Sequence, residues 1–141
     1  MPLYTVSTRR PLPRDVRERV AMMITDVHCE HTGAPRTFVN VYYSHNVPLR
    51  PGIELDVFAS VRGGRTIHTN DNVEDDMVDR MAKLTGIPVQ QIDFSIFPVP
   101  ASWVMEGGVV LPEPGEEDAW LKQHTHSDPS LKSAHEIRYG S

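Results

Sequence analysis

One cysteine, no long apolar run and no basic excess set the first limits on this chain of 141 residues. Cys29 stands alone, so no internal disulfide is available and nothing in the sequence asks for an oxidising compartment. No stretch approaches the roughly 18 consecutive apolar residues of a membrane span, and no basic-then-apolar leader opens the chain. Membrane partners are therefore not expected, and the cytoplasm is the expected address. Lys and Arg together number 14 against 19 acidic residues, a net charge of −5. A nucleic-acid binder normally shows the opposite balance, so nucleic acid is not expected as a partner. The hydrophobic content of 39% is ordinary for a soluble domain with a real core.

Proline is present in excess. Eight of its 12 copies cluster in pairs at joints, at positions 11 and 13, 48 and 51, 98 and 100, and 112 and 114. Between these joints the pattern alternates strand and helix. Residues 3–7 read as a strand. From Arg14 to Thr32, Val16, Val20, Ile24 and Val27 recur at helical spacing, and Gly33 with Pro35 supplies the stop. Thr37 to Ser44 alternates and is rich in β-branched and aromatic residues, as is Leu55 to Val61. A second helix covers Val73 to Thr85, and its local signals put the cap at Asp71 or Asn72. Ile92 to Val99 reads as a fourth strand, and Glu116 to Lys122 as a short helix. The polar stretch 123–141 reads as a flexible tail holding a solvated His124–His126 pair. Two βαβ units in succession predict an α+β fold. Its four-stranded mixed sheet has two helices on one face, followed by a C-terminal hairpin and tail. The predicted domain spans residues 2–122, with the tail from 123 to 141. The two halves share no residue-level repeat.

Four places carry chemistry. Met1-Pro2 opens the chain, and initiator methionine is normally removed before a small second residue. Pro2 then presents a free secondary amine that titrates near neutrality, aimed rigidly by its ring at the start of a strand. The plain alternative is that Met-Pro is a common start without meaning. His28 sits in the last turn of the first helix, where the helix field favours a charged imidazole; it can equally be a capping or surface histidine. His28 and His31 are spaced for a shared metal, but no third ligand follows at motif spacing, so no metal is expected. Cys29 points about 100° away from its neighbour and makes a poor nucleophile–base pair with it.

Arg62-Gly63-Gly64-Arg65 ends the third strand. Two guanidiniums so spaced can converge on one carboxylate, and the glycines let backbone N–H groups approach an anion. A solvated turn with two exposed arginines is the alternative. Glu106 is the only acid between Asp93 and Glu113, set among Trp103, Val104, Met105 and two glycines, where desolvation raises a carboxylate's basicity. It is otherwise an ordinary hairpin glutamate.

Taken in order, these segments resemble a known group. Pro2, the Ile-Thr-Asp-Val-His28 segment, the Arg62-Gly-Gly-Arg65 turn and the Met105-Glu106-Gly-Gly…Leu-Pro-Glu-Pro-Gly stretch are similar to the tautomerase superfamily, in particular its cis-3-chloroacrylic acid dehalogenase branch. The match runs from about Pro2 to Leu121. The resemblance implies an N-terminal proline as catalytic acid or base, no organic cofactor, and a homotrimer of βαβ-βαβ subunits. It implies that Arg62 and Arg65 hold a substrate carboxylate, that His28 assists carboxylate or water binding, and that Glu106 activates water. It also starts the second helix near Thr66. Ser95 is a departure, because the dehalogenase members carry a tyrosine at that place to position water. Its short hydroxyl reaches a substrate site only through an intervening water.

The reading that follows is a tautomerase moving a proton on a small 2-oxo or enol carboxylate. Water addition to haloacrylate-type or acetylenic three-carbon acids is the alternative within the enzymes. A cytokine-like binding protein on the same fold is the alternative outside them.

Overall fold

The computed structural model describes residues 1–113 and 115–125. The strands are β1 (Leu3–Thr8), β2 (Asn40–His45), β3 (Leu55–Arg62) and β4 (Ile92–Val99), joined by helices α1 (Arg14–Thr32) and α2 (Ile67–Thr85). They form one sheet in the order β2-β1-β3-β4. β1 runs parallel to β2, β3 runs parallel to β4, and the two halves meet antiparallel along β1 and β3. The two predicted βαβ units and the mixed sheet are therefore as expected.

Strand alternation and helical periodicity meet in a single core. On β1, Tyr4, Val6 and Thr8 face inward, and on β3 Leu55, Val57, Ala59 and Val61 do the same. Val20, Met23, Ile24 and Val27 of α1 cover them, together with Val73, Met77 and Met81 of α2. Both helices pack on that side, so the other sheet face is left to Leu3, Tyr42, Phe58 and Phe97, all exposed. Each helix closes on a glycine in the left-handed region, Gly33 at φ 73° and Gly86 at φ 74°, whose N–H returns to the carbonyl four residues back. Glycine enters that region without the Cβ penalty other residues meet.

Two starts differ from expectation by three residues or more. Residues 36–38 form a 3-10 turn, and β2 begins only at Asn40. The ladder cannot start earlier, because β1 itself begins at Leu3, opposite Asn40, and the Asn40 N–H bonds the Pro2 carbonyl at 3.0 Å. α2 starts at Ile67, with Thr66 as cap accepting from the Thr69 N–H at 3.1 Å. The capping signals at Asp71 and Asn72 are overridden; the start implied by the family likeness holds. The first turns bury nothing, which is why apolar periodicity missed them.

Beyond the sheet, β5 (Met105–Glu106) and β6 (Val109–Val110) form a hairpin over Gly107 and Gly108, at φ 59° and 78°. Two consecutive positive φ angles make the tight turn that favours glycine. α3 (Glu117–Thr125) follows, and runs three residues past the expected helix end at Lys122. The expected tail from 126 onward, with His126, lies outside the described residues, as does the His124 side chain.

Candidate active site

The antiparallel junction of β1 and β3 decides where the chemistry gathers. Leu3 pairs with Ser60, so the start of β1 lies beside the end of β3. Pro2 is thereby brought to the Arg62–Arg65 turn, from which it is 60 positions distant in sequence. Pro2 is buried, and its carbonyl is tied to Asn40. The amino end is consequently held in the sheet.

In this chain the terminal amine belongs to Met1, and its nitrogen lies 2.6 Å from Glu106 Oε1 in a part-buried ion pair. The hairpin that carries Glu106 is fastened by the Leu111 N–H to the Val104 carbonyl at 2.9 Å. Glu106 thus meets an ammonium group, not the apolar isolation its sequence neighbours suggest.

The arginine turn is held by the Gly63 N–H on the Val99 carbonyl, at 2.9 Å, while Gly64 takes φ 102°. Arg65 Nη1 donates to the Arg62 carbonyl at 3.0 Å, folding its guanidinium back toward the strand end. Burial, and then the neighbouring Arg62 charge, pull the Arg65 pKa below the usual guanidinium value. An arginine short of water attracts an anion more strongly than an exposed one.

Met1, Pro2, Arg62, Arg65 and Glu106 line one cavity of about 230 Å³, closed on its apolar side by Pro35, Phe38, Leu111 and Pro112. Four of the six residues singled out in the sequence are therefore brought together, with a polar end and an apolar wall. Such an arrangement can seat a small carboxylate with its carbon skeleton against the wall and a basic nitrogen within the same space.

His28 is placed otherwise. It is 1% exposed, with its Nδ1 2.7 Å from the Tyr4 hydroxyl and its Nε2 without a hydrogen-bond partner among the described residues. Its pKa is lowered to about 3, by burial first and then by the positive charges of Arg65 and the terminal amine. The expectation of a charged histidine is corrected: the ring turns into the core, where desolvation outweighs the helix field. It lies within electrostatic reach of Arg65 but does not line the cavity.

Ser95, too, is placed away from the other site residues. It is exposed on β4, opposite Phe58 in the ladder, on the sheet face away from the helices. Alternate strand residues face opposite ways, so Phe94 and Ile96 take the core and Ser95 cannot. Within one protomer it stands apart from the cavity. His31 bonds Asp76 at 2.9 Å, linking α1 to α2. Among the described residues no group of three metal-ligating side chains gathers.

One charged side chain of the lining carries no functional signal in the sequence. Glu117, in the first turn of α3, sets Oε1 3.2 Å from Arg62 Nη2. An acid at a helix start is commonplace, because it complements the helix dipole. Its sequence position carries no other signal.

The sheet of order β2-β1-β3-β4 built from two βαβ halves is similar to the folds of solved tautomerase-superfamily structures. The chain resembles the cis-3-chloroacrylic acid dehalogenase branch of that superfamily in structure as in motif order. The solved structure of N1, a member of the cis-3-chloroacrylic acid dehalogenase (cis-CaaD) family, is similar over 94% of this chain and 97% of its own, at 25% identity and a TM-score of 0.79. Native Ps01740 is similar over 74% of this chain and 100% of its own, at 27% identity and a TM-score of 0.69. The asymmetric trimer of F6 fused 4-OT shares the fold over 77% of this chain and 95% of its own, at 19% identity and a TM-score of 0.71. No family model matches the sequence, and no curated protein matches it by sequence.

Proposed function

We propose that the chain is a cofactor-independent tautomerase acting on a small 2-oxo or enol carboxylate, with Pro2 as its catalytic amine once Met1 is removed. The observation that carries this reading is the convergence of Pro2, Arg62, Arg65 and Glu106 on one small cavity. Arg65, with Arg62 beside it, receives the substrate carboxylate and sets the enol against the proline nitrogen. Holding the reacting atoms this way removes much of the orientational part of the barrier. The neutral Pro2 nitrogen uses its lone pair to take the enol hydroxyl proton. The electrons of the breaking O–H bond form the carbonyl, and those of the carbon–carbon double bond take the same proton back from the ammonium at carbon. The substrate is isomerised and the amine regenerated. Two guanidiniums nearby favour the neutral amine, and Glu106 favours the charged one. Ultraviolet decay of a phenylenolpyruvate-type enol tests this. The decay should accelerate with the protein and collapse in Pro2→Ala; equal decay with both sinks the reading.

Water addition to a haloacrylate-type or acetylenic acid is the second reading, favoured by similarity to a cis-CaaD family member along nearly the whole chain. It casts Pro2 as acid and Glu106 as the base that activates water. The neutral, buried His28 and the outlying Ser95 leave it less well equipped than proton transfer. Halide release from 3-haloacrylates distinguishes it.

The protein is further read as a homotrimer. The apolar, helix-free sheet face carrying Leu3, Tyr42, Phe58 and Phe97 supports self-association. Light scattering giving a mass three times that of the chain is the expected result.

A further inference from the structure

The charged groups of the cavity are not all paired. Glu106 meets the terminal amine at 2.6 Å, and Glu117 meets Arg62 at 3.2 Å. Arg65 makes no ion pair among the described residues, although burial has stripped part of its water. Glu117 is also fixed in place, because its Oε2 accepts the Gly115 N–H at 2.8 Å while Oε1 faces Arg62. Arg62 is turned the same way, with Nη1 3.5 Å from the Pro112 carbonyl. The carboxylate that meets Arg62 is thus one the chain brings itself.

We infer that Glu117 is a specificity-determining residue: by pairing with Arg62 it leaves Arg65 as the one guanidinium of the cavity without an acidic partner among the described residues, and so selects monocarboxylates over dicarboxylates. This rests on the carboxylate-binding reading above. A monoanion pairs with Arg65 and leaves the Arg62–Glu117 contact intact. A dianion places its second carboxylate in a cavity where the remaining guanidinium is occupied and a like charge stands beside it. Attraction to Arg62 is offset by repulsion from Glu117, and desolvating the second charge is not compensated. Specificity of this kind comes from the repulsive group as much as from the attractive one.

Butyrate and succinate make the test, since they differ by one terminal carboxylate on the same four-carbon skeleton. Their affinities are measured by calorimetry at fixed pH and salt, on full-length wild type, Glu117→Gln and Glu117→Ala, with Glu116→Gln as control. Glu116 lies one residue away and does not line the cavity. Removing the Glu117 charge should raise succinate affinity relative to butyrate by about tenfold, the effect of one charge-assisted hydrogen bond gained. Glu116→Gln should leave the ratio unchanged. A ratio unmoved in both folded Glu117 variants overturns the proposal. So does an equal tightening of both acids, which would make Glu117 a competitor for any carboxylate. If neither acid binds wild type or variants, the carboxylate-site reading itself fails. If wild type binds butyrate and turns over an enol while the ratio stays fixed, only the role of Glu117 fails.

Discussion

The Tyr4 hydroxyl and His28 Nδ1 lie 2.7 Å apart inside the core, their rings edge to face with centroids 5.6 Å apart. Burial keeps the Tyr4 phenol protonated far above neutral pH and keeps the imidazole uncharged. The pair therefore forms a neutral, hydrogen-bonded floor in the core, within electrostatic reach of Arg65.

That floor makes stability depend on pH. The imidazole pKa is about 3 in the folded chain, against 6.5 for the free group. Between those values the unfolded chain holds a proton that the folded chain refuses, so the contribution of His28 is complete above about 6.5 and is lost as pH falls toward 3. Melting temperatures of wild type should drop between pH 7.5 and 5, and His28→Asn should show a shallower drop. Parallel curves would mean that another group titrates.

Pro2 acts as proposed only with its nitrogen free. Mass spectrometry of active protein should show Met1 absent. Pro2→Ala keeps an amine but loses the rigid ring, and kcat/KM for an enol should fall by about 10²-fold or more, within the range for losing a positioned acid–base group. Full activity on a chain that retains Met1 would contradict the proposal.

Arg65→Lys keeps the charge and loses the planar fork. A point charge cannot hold a carboxylate bidentately, so KM should rise by roughly tenfold or more, with a smaller change in kcat. Arg65→Ala should raise it further. A change confined to kcat would place Arg65 at the reacting atoms instead of at the carboxylate.

The cap at Thr66 is testable without a substrate. Its Oγ1 receives the Thr69 N–H, and no apolar residue of that first turn anchors it, since Ile67 is 80% exposed. Thr66→Ala should cost about 1 kcal/mol in denaturant unfolding. Asn72→Ala, at the start the local signals favoured, should cost less than that.

Much of the fold was legible locally. The span Arg14–Thr32 and the strand Ile92–Val99 follow from periodicity and from glycine or proline stops, which act within a few residues. Where local pattern failed, a partner elsewhere decided: Asn40 begins β2 because Leu3 begins β1, and Ile67 begins α2 because Thr66 caps it. Ser95 shows the same limit, because a strand's alternation predicts two faces without saying which one meets a cavity.

By itself the sequence determined the elements, the positively charged turn at Arg62–Arg65 and the presence of an imino nitrogen at position 2. Only tertiary structure decided that β1 lies antiparallel against β3, which sets Pro2 beside Arg62, that Glu106 meets the terminal amine, and that His28 turns inward to Tyr4. Periodicity and turn chemistry act over a few residues along the chain, whereas charge pairing and desolvation depend on distance through space, and Glu117 at Arg62 became visible only once that distance existed.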